Sequence, residues 1–191
     1  MNYTTYLEQS VDYTAYQDLF VQKNENPEAY TYGQYVPMNH QRSNRLDRTF
    51  KLSEEQIASI QNIAKQTWLV ISEHWCGDAS QTVPVMAKIA EASNGNITLR
   101  FVYRDEVSEL MQAHLTNGGM AVPKIIQLNS QNDLLADWGP RPKEAQELVL
   151  TLRANPETAS NYSEELHKWY AKDKQQSTVN ELLLLANGNI E

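Results

Sequence analysis

The sequence has 191 residues, of which 41% are hydrophobic and 21% are charged, a balance that predicts one compact globular unit and excludes a disordered chain. The 24 acidic and 16 basic residues give a net charge of −8, with no basic stripe of the kind that nucleic acid or an anionic membrane attracts. No apolar run approaches the roughly 20 residues that cross a bilayer. We therefore expect neither nucleic acid nor a membrane as a partner.

Residues 1–66 are expected to form a helical extension that packs on the core. Five aromatic residues recur at spacings that place them on one face of a helix: Tyr3, Tyr6, Tyr13, Tyr16 and Phe20. Burial of this stripe is a better explanation than ligand stacking. Residues 24–39 contain two prolines and a glycine and are predicted to form a loop. Ser53 and Gln56 match a capping box, which predicts the start of a further helix.

Residues 67–154 alternate between strand-like and helix-like patterns and are expected to form the central domain. Strands are predicted at 67–72, 97–103, 123–128 and 133–138, and helices at 78–92, 105–115 and 142–154. The resulting order, βαβαββα, predicts an α/β fold with a mixed four-stranded sheet and helices on both faces. Residues 155–191 are expected to form a C-terminal helical tail, with a helix around 163–172 and a short docking piece at 182–185.

The chain contains a single cysteine, Cys76. One cysteine excludes a disulfide within the chain and a site made of four thiolates, and no other ligand spacing suggests a metal, so no metal site is expected. The first residues lack the basic and apolar stretch of a secretory signal. These features together predict a cytoplasmic protein.

Cys76 lies in the segment Glu73-His74-Trp75-Cys76-Gly77-Asp78-Ala79-Ser80, which follows a predicted strand and begins a predicted helix. Unpaired backbone N–H groups and the helix dipole favour a thiolate at such a position, where the pKa of a cysteine falls from about 8.5 to roughly 3.5–7.5. The position therefore predicts an activated thiol. The alternative is a buried structural cysteine, which is the more frequent role of a single cysteine, but the flanking Trp75 and Gly77 at a predicted turn argue against it.

Four features give the central domain its resemblance to the thioredoxin superfamily. Trp75-Cys76-Gly77 matches the start of the Trp-Cys-Gly-Pro-Cys motif, Pro84 lies where thioredoxins kink the same helix, and Val122-Pro123 precedes a strand as their cis-proline does. The element order is the fourth feature. The sequence most resembles thioredoxin-related bacterial proteins that keep Trp-Cys-Gly-Asp and often lack a second cysteine.

The resemblance implies a thioredoxin-like fold and a substrate groove beside Cys76. Trp75 would form the apolar lip of this groove, and the backbone of Val122, before a cis Pro123, would pair with an extended substrate. Gly77 and Asp78 would complete the substrate-binding set.

The departures from the family pattern limit the chemistry. Ala79 replaces the resolving cysteine, Asp78 replaces the usual proline, and Val70 replaces a buried acid. A mixed disulfide on Cys76 must therefore be released by an external thiol such as glutathione or another low-molecular-weight thiol, and no other cofactor is expected. The predicted partners are protein or small-molecule thiols and disulfides.

Two neighbours of Cys76 are candidates for tuning its pKa. The carboxylate of Asp78 should raise the pKa of the thiol relative to a proline at the same position. A cationic His74 would offset this effect, although an ordinary, partly exposed histidine is the better expectation. Arg141 is a candidate for binding an anionic group, but a solvated side chain is the better expectation.

The leading hypothesis is a single-thiol member of the thiol–disulfide oxidoreductases that forms mixed disulfides through Cys76. Two alternatives remain open. One is a non-catalytic binding module that uses the same groove for a peptide or protein. The other is a redox sensor in which peroxide converts Cys76 to a sulfenic acid.

Overall fold

The computed structural model describes residues 1–189 and contains one mixed sheet covered by helices on both faces. The strands are β1 (Gln66–Ser72), β2 (Ile97–Tyr103), β3 (Lys124–Asn129) and β4 (Leu134–Trp138). Their order in the sheet is β2-β1-β3-β4, with β1 parallel to β2 and antiparallel to β3, and β4 antiparallel to β3. The predicted fold class is thus confirmed, and β1, which leads to Cys76, is a buried central strand.

The helices are α1 (Tyr3–Gln9), α2 (Tyr13–Glu25), α3 (Val36–Thr49), α4 (Glu54–Ile60), α5 (Gly77–Ala92), α6 (Ser108–Ala113), α7 (Lys143–Ala154), α8 (Tyr162–Asp173) and α9 (Gln176–Ala186). Helices α5 and α7 begin and end within one residue of the predicted bounds. The predicted helix 105–115 is wrong at its start, where Arg104–Glu106 forms a 3-10 turn. The non-helical backbone of the buried Val107 then separates this turn from α6.

The aromatic stripe near the N-terminus lies on two helices, so the prediction of a single helical face is wrong. Val11 interrupts the helix by pairing with Phe101 of β2 through two backbone hydrogen bonds of 2.9 and 2.8 Å. Asp12 then caps α2 by accepting from the N–H of Ala15. Tyr16 and Phe20 are buried in the main core, which is the packing role expected of them.

Helix α3 begins at Val36, inside the segment predicted as a loop. Its buried face consists of Val36, Asn39, Ser43 and Leu46. Half of these residues are polar, so the face has no apolar periodicity to detect in the sequence. The capping box of Ser53 and Gln56 is present at the start of α4, but that helix ends at Ile60.

The C-terminal tail forms α8 and α9, and α9 contains the predicted docking piece. Its residues Val179, Leu182 and Leu185 are fully buried in the same core as the sheet. The side chains of Gln66 and Gln127 donate to the carbonyls of Ala186 (2.8 Å) and Leu185 (2.9 Å) at the end of α9. These bonds join the end of α9 to strands β1 and β3, and the carbonyl of Leu185 also accepts the N–H of Gly188 at 3.0 Å. Within residues 1–189, no helix is long and apolar enough to span a membrane.

Candidate active site

Cys76 is the N-cap residue of α5 and follows the tight turn that leaves β1. The thiol Sγ donates a hydrogen bond to the carbonyl oxygen of Val122 at 3.1 Å. The Val122–Pro123 peptide bond is cis, and Pro123 is buried. The structure therefore brings the thiol and the Val122–Pro123 segment together, at the place that the resemblance implies.

In this conformation the surroundings of Cys76 oppose the ionisation that its position at the helix start favours. Cys76 is only 8% exposed. Burial, followed by the negative charge of Asp78, raises the pKa of the thiol to about 12. The backbone N–H groups of Ala79 and Asp78 and the charge of Arg141 lower this pKa by smaller amounts. At neutral pH the sulfur is therefore a protonated hydrogen-bond donor.

The carboxylate of Asp78 is buried and fully engaged by the protein. Arg141 binds both of its oxygens, with Nε 3.1 Å from Oδ1 and an Nη in contact with Oδ2. The hydroxyl of Tyr170 donates to Oδ1 at 2.8 Å. The expectation that Arg141 is solvated is wrong, because a buried carboxylate needs a cationic partner. Asp78 therefore has little capacity left for a substrate.

Gly77 allows α8 to approach the site. A Cβ at this position would lie 2.9 Å from Nε2 of His167, so the imidazole packs directly against the start of α5. Burial and the nearby Arg42 lower the pKa of His167 to about 4. A neutral imidazole and the hydroxyl of Tyr170 thus belong to the surroundings of the thiol, although both lie in the C-terminal tail.

His74 does not tune the thiol, and the expectation that it is partly exposed is also wrong. It is 1% exposed and lies between Tyr16 and Phe20, with ring centroids at 4.2 and 4.5 Å. Its Nε2 is 3.0 Å from the carbonyl oxygen of Tyr16 and donates to it. Burial lowers the pKa of this imidazole to about 3, so His74 is a neutral core residue.

An open groove of about 920 Å³ borders Cys76, Gly77, Asp78 and Val122. Trp75 forms part of the wall of this groove. The ring centroids of Trp75 and Tyr32 are 5.1 Å apart, and the guanidinium of Arg104 lies 4.7 Å from the ring centroid of Trp75. Other lining residues come from the N-terminal segment, the end of α7 and the tail: Tyr35, Met38, Asn39, Arg42, Arg153, Tyr162, Ser163, Leu166 and His167. No cluster of three or more His, Cys, Asp or Glu residues in the described part of the chain is placed to hold a metal ion.

No sequence pattern links Asp78 to the residues that distant segments bring to this site. Tyr170 is 92 positions from Asp78, and Arg141 is 63 positions away. No spacing rule connects such residues. The one available signal was chemical, because an acid in the first turn of a buried helix requires a partner.

A family model described as thioredoxin matches residues 25–179. This range is more than half of the chain, and the protein therefore belongs to the thioredoxin family. The match extends beyond the central domain into α3 and the tail, the same segments that contribute residues to the groove.

Two solved structures share the fold at low sequence identity. One is a protein of unknown function from Pseudomonas aeruginosa, with a TM-score of 0.68 and 16% identity over 98% of both chains. The other is an HIV epitope-scaffold, with a TM-score of 0.68 and 14% identity over 98% of this chain and 99% of the scaffold. A comparison with curated proteins gives no match.

Proposed function

We propose that the protein is a single-thiol thiol–disulfide oxidoreductase that forms mixed disulfides through Cys76. The observation that carries the proposal is the position of Sγ, which borders an open groove at the start of α5 and contacts the carbonyl oxygen of Val122. The backbone N–H groups of Asp78 and Ala79 would stabilise a thiolate at this position. Trp75, Gly77, Asp78, Val122 and Pro123 would line the substrate site.

The chemistry requires two exchanges. The Cys76 thiol first loses its proton to solvent, and the thiolate attacks one sulfur of a substrate disulfide, so that the other substrate sulfur leaves as a thiolate. A low-molecular-weight thiol, such as glutathione in a reducing cytoplasm, then attacks the mixed disulfide and releases Cys76. A second molecule of that thiol completes reduction of the substrate, and the two small thiols are oxidised to a disulfide.

Docking of a substrate would help the proton to leave. The hydrogen bond from Sγ to Val122 is made by the neutral thiol and therefore favours the protonated form. An extended substrate that donates a backbone N–H to the same carbonyl would displace this bond. The pKa of Cys76 would then fall when a substrate is bound, which confines its reactivity to the occupied groove.

Reduction of a peptide–glutathione mixed disulfide, with excess glutathione as reductant, tests the proposal. We expect the wild type to accelerate the reaction and Cys76→Ser to give only the uncatalysed rate. Ser is a good N-cap residue, so this variant keeps the start of α5. Equal rates for the two proteins would contradict the proposal.

A second candidate is the binding module without redox turnover, and the raised thiol pKa together with the absence of a second cysteine favours it. In that case Cys76→Ser would bind the same ligands as the wild type, and neither protein would accelerate exchange. The sulfenic-acid sensor has no comparable support, because it needs an exposed thiol of low pKa.

A further inference from the structure

The groove carries a charge opposite to that of the whole protein. Among residues 1–189, four arginines line it, Arg42, Arg104, Arg141 and Arg153, against one carboxylate, that of Asp78. Arg141 is already bound to that carboxylate. The chain as a whole has a net charge of −8, so a concentration of cations here is not a consequence of composition.

The remaining arginines have little or no compensation by acids. Within residues 1–189, neither Arg42 nor Arg153 has a carboxylate at ion-pair distance. Arg42 donates only to the amide oxygen of Asn39 at 3.0 Å, and burial lowers the pKa of its guanidinium. Arg104 pairs with Asp105, whose side chain is 61% exposed. Arg153 is exposed, and its guanidinium lies 5.2 Å from the ring centroid of Tyr162. Arg42 is thus a half-buried cation without a counter-ion, an arrangement that favours binding of an anion.

The rim of the groove is apolar and exposed. Tyr32, Tyr35, Met38 and Met120 all line it and are 47–55% exposed. Solvated rings and thioethers beside a groove of about 920 Å³ offer a surface on which side chains of a bound polypeptide can be buried. Apart from Arg141, the arginines that line the groove come from three separate parts of the fold: α3, the turn after β2 and the end of α7.

We propose that the groove binds an extended polypeptide segment that carries several Asp or Glu side chains around its disulfide-bonded cysteine. This inference deepens the proposed function, because the acidic segment would be the substrate that Cys76 attacks. Arg42, Arg104 and Arg153 contact its carboxylates, the rim covers its apolar side chains, and its backbone pairs with Val122. Attraction by the arginines also steers such a segment toward an otherwise acidic protein.

Fluorescence anisotropy with the Cys76→Ser variant tests binding separately from exchange. The probes are three labelled peptides of the same length with a central serine, flanked by glutamates, glutamines or lysines. We expect the glutamate peptide to bind at least tenfold more tightly than the glutamine peptide, with a Kd that rises with salt, and the lysine peptide not to bind. Equal affinity for the glutamate and glutamine peptides would overturn the inference.

Charge-matched variants locate the binding surface. Arg42→Gln/Arg153→Gln in the same Cys76→Ser background should weaken binding of the glutamate peptide by about two- to fivefold for each arginine removed. Arg45→Gln/Arg48→Gln removes the same charge from the exposed side of α3, outside this groove, and should change the Kd by less than twofold. Equal losses in the two double variants would show a nonspecific charge effect and would contradict the inference.

A competition experiment distinguishes a polypeptide from a small polycarboxylate. Citrate at matched ionic strength should not displace the glutamate peptide at concentrations near the Kd of the peptide, and displacement there would overturn the choice of a polypeptide. Binding of the glutamate peptide by Cys76→Ser, combined with no exchange by the wild type, would contradict the oxidoreductase function and support the groove as a site for acidic peptides. Exchange by the wild type without binding of the glutamate peptide would support the oxidoreductase function and contradict the acidic substrate.

Discussion

At the scale of single residues, a helix N-terminus does not by itself activate a thiol. Cys76 has the N-cap position, and the backbone N–H groups of Asp78 and Ala79 stabilise its anion. Burial of the sulfur and the carboxylate of Asp78 outweigh these effects, so the pKa rises to about 12. Asp78 is retained in the interior because Arg141 and Tyr170 bind both of its oxygens.

Asp78→Asn should therefore make Cys76 more reactive. The substitution removes the negative charge and leaves Arg141 in place, so the pKa of the thiol falls. A pKa lower by one unit raises the fraction of thiolate tenfold but makes the thiolate about threefold less nucleophilic. The rate of reaction at fixed pH therefore rises about threefold for each unit by which the pKa falls. Alkylation with iodoacetamide at pH 8 measures this rate. Glu147→Gln, on the exposed face of α7, is the matched control and should leave the rate unchanged. A rate in Asp78→Asn equal to or below that of the wild type would count against this account of the pKa.

At the scale of elements, the segment between β4 and α7 packs against the Val122–Pro123 loop through a glycine. Gly139 has a φ of 119°, and a Cβ there would lie 2.3 Å from the carbonyl oxygen of Pro123. Arg141, which binds Asp78, follows Gly139 by two residues, and Pro123 follows Val122, whose carbonyl contacts Cys76. This close approach holds the two sides of the site together.

Gly139→Ala should destabilise the protein far more than a substitution at an unhindered glycine. Gly95 also has a positive φ, of 81°, but nothing lies within 4 Å of its Cβ position. Gly95→Ala should cost about 1–2 kcal/mol from backbone conformation alone. Gly139→Ala adds a backbone clash and should cost more than about 3 kcal/mol. Urea unfolding monitored by circular dichroism measures both values, and similar losses in the two variants would show that the contact with Pro123 is unimportant.

The sequence predicted elements wherever hydrophobic pattern and local stereochemistry agree. Strand β1 contains an uninterrupted apolar run at 68–71, β3 contains Ile125, Ile126 and Leu128, and α5 starts within the Trp75-Cys76-Gly77 motif. Prediction failed at α3, whose buried face is half polar, and at Val11, whose pairing with Phe101 is a contact between distant residues. Both failures have the same cause, because tertiary contacts override the local pattern.

At the scale of the whole molecule, the segments outside 67–154 complete both the core and the site. Tyr16 and Phe20 from α2 and Leu182 from α9 share one hydrophobic cluster with the sheet. Arg42 comes from α3, and His167 and Tyr170 come from α8. The sequence identified the thiol and the Val122–Pro123 segment from short motifs, but it could not place the arginines and tyrosines around them, since no local rule links residues so far apart.

The buried His74 should make the stability of the whole molecule depend on pH. Its pKa is about 3 in the folded protein against 6.5 for an ordinary histidine, so only the unfolded chain binds a proton between these values. The neutral His74 therefore contributes its full stabilisation to the folded protein above pH 6.5. This contribution to the free energy of unfolding is lost as the pH falls toward 3. Between pH 7 and 5 this effect amounts to about 2 kcal/mol.

His74→Phe keeps the aromatic packing and removes the titrating group. Urea unfolding at pH 7 and 5 should show a loss of stability on acidification that is smaller by about 2 kcal/mol in His74→Phe than in the wild type. His40→Phe serves as the comparison, because His40 is less buried and should change the difference between the two pH values by less. The same loss in His74→Phe as in the wild type would mean that His74 is protonated in the folded state.

The most direct test of the account is the pH dependence of mixed-disulfide formation, followed by intact mass after incubation with oxidised glutathione. We expect one glutathione adduct for each wild-type chain and none for Cys76→Ser. Because the pKa of the thiol is about 12, the initial rate should rise about tenfold per pH unit from pH 7 to 10 without levelling. A plateau near pH 8.5, or an adduct that forms only after unfolding in urea, would contradict it.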